Sequence, residues 1–176
     1  EFTDEFIDGF KRWCPPQATV VHNFTGHYAR KGVESAGPDP QYRSYQDFFS
    51  PVLTELVDTI ICAHINEYPE ADYYVIGASE FRSSVSGHEQ AWKALDGYHN
   101  ISDRFDRCDL MSHADARNGQ RAVNEVEGDI EFLYFLHKLF HERNVLSRTA
   151  RHDATILLGN IAPELYPVLG ELFPKF

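Results

Sequence analysis

The chain has 176 residues, 43% apolar and 14% aromatic, which suits one core and one domain spanning residues 1–176. Its 27 acidic residues against 16 basic leave a formal charge of −11, and such a surface repels the phosphates that nonspecific nucleic-acid binding must neutralise. No apolar run approaches the roughly 20 residues of a membrane span, and the start, Glu1-Phe2-Thr3-Asp4, lacks the basic and apolar regions of a signal peptide. The expectation is a cytoplasmic protein with neither nucleic acid nor membrane as partner. Any anionic ligand would need a small basic pocket set in that acidic surface.

In chain order, Phe2, Phe6, Phe10 and Trp13 recur at helical spacing and Pro15-Pro16 stops the pattern, so the chain opens on a short amphipathic helix. Ala18-Thr19-Val20-Val21 reads as a buried strand. From Asn23 to about Ser44 the composition turns to Gly, Pro, Ser and charge, which marks a long loop. Ser50-Pro51 gives a cap and a first-turn proline for a helix whose apolar face is Val52, Leu53, Leu56, Val57, Ile60, Ile61 and Ile65, ending near Pro69.

Tyr73-Tyr74-Val75-Ile76 is a second strand, and Ser86 caps a helix running through Trp92 and Leu95. Between Asp96 and Asn118 the sequence is polar, with only Leu110-Met111 hinting at order. Val123, Val126, Ile130, Leu133, Leu136 and Phe140 then trace a long amphipathic helix. The apolar run Ala154–Leu158 and a Pro-interrupted tail close the chain. Strands separated by helices of this length imply crossover connections and a mainly parallel sheet. Cys14, Cys62 and Cys108 have no paired spacing that would mark a disulfide framework or zinc site.

Open α/β sheets bind ligands beyond the carboxyl ends of their strands. The residues flanking the predicted strands include His22, Asn23 and His27 after the first, Arg82 after the second, and Arg151, His152 and Asp153 at the last. Two histidines, an arginine and an acid are the groups phosphoryl transfer through a phosphohistidine requires: a neutral imidazole attacks, and cations hold the phosphoryl oxygens. His137 and His141 stand one helical turn apart but lack the glutamate of an HExxH motif and an evident third ligand. No Gly-rich phosphate loop, G-x-S-x-G elbow or dinucleotide fingerprint occurs.

Val21-His22-Asn23-Phe24-Thr25-Gly26-His27 resembles the R-H-[GA]-x-G-x-H-N motif of the histidine phosphatase (phosphoglycerate-mutase-like) superfamily, with Val21 in place of arginine and Asn23 in place of glycine. Pro51–Leu56 is similar to its pLTxxG pattern without the glycine, and the block Asp72–Ser86 to the segment supplying a phosphate-binding arginine, here Arg82. His152-Asp153-Ala154-Thr155 looks like the His-Asp block of the acid phosphatases.

The resemblance implies a three-layer α/β/α fold with a mainly parallel sheet and a phosphohydrolase or mutase-like activity on a small phosphorylated molecule. It implies His22 as nucleophile, His152 as second catalytic histidine, and either Asp153 or Asp103 as proton donor. Arg82, His27, Arg30 and Asn23 would contact substrate, Arg30 replacing the missing motif arginine, with no metal or cofactor. Two alternatives stay open: the same fold with a pocket rebuilt for other chemistry or simple binding, and a non-catalytic acidic interaction protein.

Overall fold

The computed structural model describes residues 48–49, 51–77 and 87–174. The readings at Phe2–Trp13, Ala18–Val21 and Asn23–Ser44 lie outside them, and so do His22, Asn23, His27, Arg30 and Arg82.

Helix α1, Pro51–Glu67, is followed by strand β1, Tyr73–Gly77. Helix α2, His88–His99, and a 3-10 turn at Ile101–Asp103 lead into the long helix α3, Arg107–His137, which continues as a π turn over Lys138–Glu142. A second 3-10 turn, Val145–Arg148, precedes strand β2, Thr155–Gly159. Pro163–Leu165 and helix α4, Tyr166–Leu172, complete the order. No helix among the described residues is long and apolar enough to cross a membrane.

The two strands pair in parallel, Tyr73 opposite Thr155 through to Gly77 opposite Gly159. Alternation along each strand buries Tyr74 and Ile156 against the helices and turns Tyr73, Val75, Thr155 and Leu157 outward. The core joins Leu53, Ile61 and Ile65 of α1, Trp92 and Leu95 of α2, and Val126, Ile130, Leu133 and Leu136 of α3. Leu165, Val168 and Leu172 close it from the C-terminal side. The apolar periodicities behind α1, α2 and α3 thus mark true core faces, except that Ile60 points to solvent.

The expected three-layer α/β/α architecture with a mainly parallel sheet is overturned. The described residues are mostly helical and carry a single two-stranded sheet. Much of the difference lies in the polar stretch Asp96–Asn118, which is helical for most of its length. Its start is set by Asp106, whose side chain accepts the Cys108 N–H at 2.7 Å. Only Ile101 and Ala114 of the stretch are fully buried, with Phe105, Leu110 and Met111 partly buried against the core, so no continuous apolar stripe announces it. The unsettled C-terminal tail is helical as well.

Asp58 ties α1 to the turn before β2. Arg148 Nη2 donates to both of its carboxylate oxygens, at 2.6 and 2.7 Å, and Arg143 Nε donates to one of them. The Cys62 thiol also points at it, 3.7 Å away. Burial acts to raise the Asp58 carboxyl, but the hydrogen bonds and charges of Arg148 and Arg143 outweigh it and hold the group below the usual aspartate value. Asp58 is 2% exposed, whereas the arginine side chains are 47% and 41% exposed and can rehydrate.

Replacement Asp58→Asn should therefore cost about 1–3 kcal/mol, the range for a hydrogen bond to a charged partner. A depressed carboxyl stabilises above its unfolded value of 3.8, and that contribution disappears as pH falls through the folded value. Urea denaturation of wild type and Asp58→Asn should show a constant gap near neutrality that closes in strong acid.

Helix α3 is broken at Asn118-Gly119. Gly119 has φ +59 and ψ −155, a region essentially reserved for glycine. A Cβ there would meet no atom within 4 Å, so the constraint is backbone strain alone. Gly119→Ala should cost on the order of 1–3 kcal/mol. Gly97→Ala, in equally open space inside α2, should instead stabilise by up to about 1 kcal/mol through helix propensity. Opposite shifts of the denaturation midpoint are the expected result.

Candidate functional site

The carboxyl edge of the β1–β2 pair is built from backbone and from two buried acids. Both strands end on glycine at the same rung, Gly77 opposite Gly159. A Cβ at Gly77 would come no nearer than 3.9 Å to the Gly159 carbonyl, so the last rung carries no side chain and, among the described residues, no side chain crowds it. Beyond β2, Asn160 takes a left-handed conformation, φ 62, which asparagine tolerates better than most residues. The chain then turns inward, and the Ala162 N–H donates to Asp129 Oδ2 at 2.6 Å.

Beyond β1 the chain is next described at Gly87, whose N–H donates to Glu131 Oε1 at 3.0 Å. Gly87 occupies the N-cap of α2, so the Glu131 carboxylate also faces the positive end of that helix dipole. A Cβ on Gly87 would fall 2.6 Å from the Phe49 ring and 3.2 Å from the Glu131 carboxyl. Close approach, rather than turn geometry, keeps this position a glycine. Asp129 and Glu131 are both fully or nearly fully buried. Asp129 therefore fixes the backbone that follows β2, and Glu131 the backbone that opens α2.

Sequence reasoning did not single out Asp129 or Glu131. Their signal was two acids inside the apolar stripe of an amphipathic helix, between Val126 and Leu133. A charge in that place must be paired or hydrogen-bonded.

His152 and Asp153 lie elsewhere. They form the exposed turn before Thr155, at the amino end of the pair, and a strand of five residues separates its two ends by about 13 Å. The expectation that His152 stands at the carboxyl edge is corrected. Arg151 Nε donates to Asp153 Oδ1 at 3.0 Å, and that hydrogen bond, with the arginine charge, holds the Asp153 carboxyl below its usual value. A proton donor needs the opposite shift. The same arginine donates through Nη1 to the carbonyls of Pro69 and Ala71, at 2.8 and 3.4 Å. The Arg-His-Asp block thus fastens the turn between α1 and β1 to the start of β2.

Asp103 ends the 3-10 turn between α2 and α3 and is exposed. Its neighbour Arg104 pairs with Glu171 of α4, which makes that stretch a tie to the C-terminal helix. Neither candidate acid is brought to the carboxyl edge by a contact seen among the described residues.

No family model matches the chain, and neither a curated protein nor a solved structure does.

His152→Ala and Asp153→Asn should each leave stability within about 0.5 kcal/mol of wild type, as exposed substitutions do. Arg151→Ala should cost about 1 kcal/mol, from the lost bonds to Pro69 and Ala71. Thermal unfolding of the three variants checks both statements.

Proposed function

We propose that the protein is an enzyme acting on a small anionic, phosphorylated molecule bound beyond the carboxyl edge of the β1–β2 pair, with His22 as nucleophile and Arg82 as phosphate ligand. The observation that carries this reading is the edge itself. Two parallel strands end together on glycines, with no side chain of the described residues crowding the last rung, and Ser79, Glu80 and Arg82 follow Gly77 closely in sequence. Such edges are where α/β units bind their ligands. The His22 imidazole attacks phosphorus, the ester P–O bond breaks, and the leaving oxygen takes a proton. Water then cleaves the P–N bond, releasing phosphate and restoring the imidazole. His152 and Asp153 have no part in this scheme.

A second reading, a non-catalytic acidic interaction protein, draws on a different face. Tyr73, Val75 and Leu157 project from the outer side of the pair with 61%, 70% and 44% of their surface exposed. Contiguous apolar side chains in such a position commonly mark a contact surface.

One assay separates the two. Wild type, His22→Ala, Arg82→Ala, His152→Ala and Val21→Arg are compared on an artificial phosphate ester, with circular dichroism as folding control. The enzyme reading expects His22→Ala to abolish turnover and Arg82→Ala to reduce it by about a hundred- to a thousandfold, the usual effect of removing one donor to a developing charge. Val21→Arg should raise turnover and His152→Ala leave it unchanged. Loss of turnover in His152→Ala would overturn the carboxyl-edge reading. Absence of any His22-dependent turnover, in wild type and Val21→Arg alike, would favour the interaction protein.

A further inference from the structure

Three histidines meet where the ends of α2 and α3 join the C-terminal segment. His99 is the last residue of α2, His137 the last of α3, and His141 lies one turn further on in the π turn. Ring centroids are 5.0 Å apart for His99 and His137, 5.0 Å for His137 and His141, and 5.6 Å for His99 and His141. Tyr98 covers His137 from one side at 4.5 Å, and Phe173 stacks on His141 at 5.3 Å. His137 is 3% exposed. Its Nδ1 and the Nε2 of His99 are buried without a hydrogen-bond partner. Among the described residues, no group of three or more His, Cys, Asp or Glu has the arrangement a metal ion needs.

The charged and titratable groups around the cluster are few. Tyr98 and His99 face it from α2; Tyr134, His137, His141 and Glu142 belong to α3 and its π turn. Glu142 Oε1 lies 3.6 Å from His137 Nδ1, and the same carboxylate holds the Tyr98 hydroxyl above its usual value. Lys138 turns aside, over the Tyr134 ring and toward the Phe48 carbonyl. From the described part of the C-terminal segment come the Phe173 ring and the Leu172 carbonyl, which lies 2.9 Å from His141 Nε2 and accepts from it. Among the described residues one carboxylate, that of Glu142, faces the cluster.

We propose that this cluster is a proton-operated latch: neutral imidazoles hold the end of the C-terminal helix, residues 166–174, on the tips of α2 and α3, and protonation releases it. His141 is the link, since its ring and its N–H carry Phe173 and Leu172. Charge on His137 appears between two further imidazoles, and displacing His141 into water relieves it. The preceding residues stay behind, anchored by Asp129 on the Ala162 N–H and by Arg117 on Glu164, at 2.6 and 2.7 Å.

Burial, then the neighbouring His141 and His99, push His137 down to about 4. Burial and His141 also lower His99. For a histidine depressed in the closed state, the open state binds more protons. Closure is therefore fully stable above the unfolded value of 6.5 and weakens as pH falls from there toward about 4. One titrating histidine changes the opening equilibrium up to about tenfold per pH unit.

The test is amide hydrogen exchange of the full chain between pH 7.5 and 5, corrected for the intrinsic pH dependence of exchange. Residues 166–174 should show constant protection above about pH 6.5 and gain opening by up to roughly tenfold per unit below it, while residues 122–136 of α3 keep their protection. His137→Phe, which keeps a ring and removes the proton site, should flatten that response. His99→Gln, at a less buried position, should reduce it and guards against a His137 variant that fails to fold. The proposal is overturned by pH-independent protection of residues 166–174 in wild type, by an unchanged response in both variants, or by a loss of protection shared equally by α3.

Discussion

A carboxylate inside an apolar helix face must find hydrogen-bond donors at once, and this requirement at Asp129 and Glu131 organises much of the molecule. Neither acid reaches water. One takes the backbone N–H of Ala162, the other that of Gly87. Because the two N–H groups belong to the chain following β2 and the chain leading into α2, the helix dictates where both must pass. The parallel pair is clamped from its carboxyl end by these bonds and from the other end by Arg151 and the Asp58 arginines. Leaving either buried acid unpaired would cost far more than an exposed bond of the same kind.

Much of the described fold was legible in the sequence where a periodic apolar stripe existed. Leu53, Leu56 and Ile65 for α1, and Val126, Ile130, Leu133 and Leu136 for α3, announced their helices. The β-branched and aromatic run Tyr73–Ile76 announced β1 nearly to the residue, and the apolar run Ala154–Leu158 coincides with β2 but for one residue at each end. The stretch from Asp96 to Asn118 was not legible, because only Ile101 and Ala114 in it are fully buried and the other apolar side chains that reach the core, Phe105, Leu110 and Met111, are few and only partly buried. So few apolar positions among so many polar ones leave no period to read. The sheet was overestimated for a related reason: alternating strands and helices imply crossovers, but among the described residues only two strands exist to be crossed between.

The site was legible only in part. Proximity to a strand in sequence does not say which end a residue occupies. His152 precedes β2 where the chemistry would need it to follow a strand. Arg151 beside it, to which the motif reading gave no role, carries the hydrogen bonds that fasten the turn. The histidine cluster had half a signal, the one-turn spacing of His137 and His141. The third member, His99, comes from a helix whose end at Asn100 depends on that residue adopting a left-handed conformation, a feature no spacing rule supplies.

The break in α3 at Gly119 has a consequence for how the protein opens. An unbroken ladder of i→i−4 bonds lets fraying at one end propagate along a helix, whereas a residue at φ +59 interrupts the ladder and stops it. The amino half of α3 carries Ala114 in the core and Arg117, paired with Glu164 beside the C-terminal helix and with Glu125 across the break; the carboxyl half carries the longer buried stripe, both buried acids and His137. The break thus divides α3 into two lengths of unequal burial, and native proteins open first where burial is least.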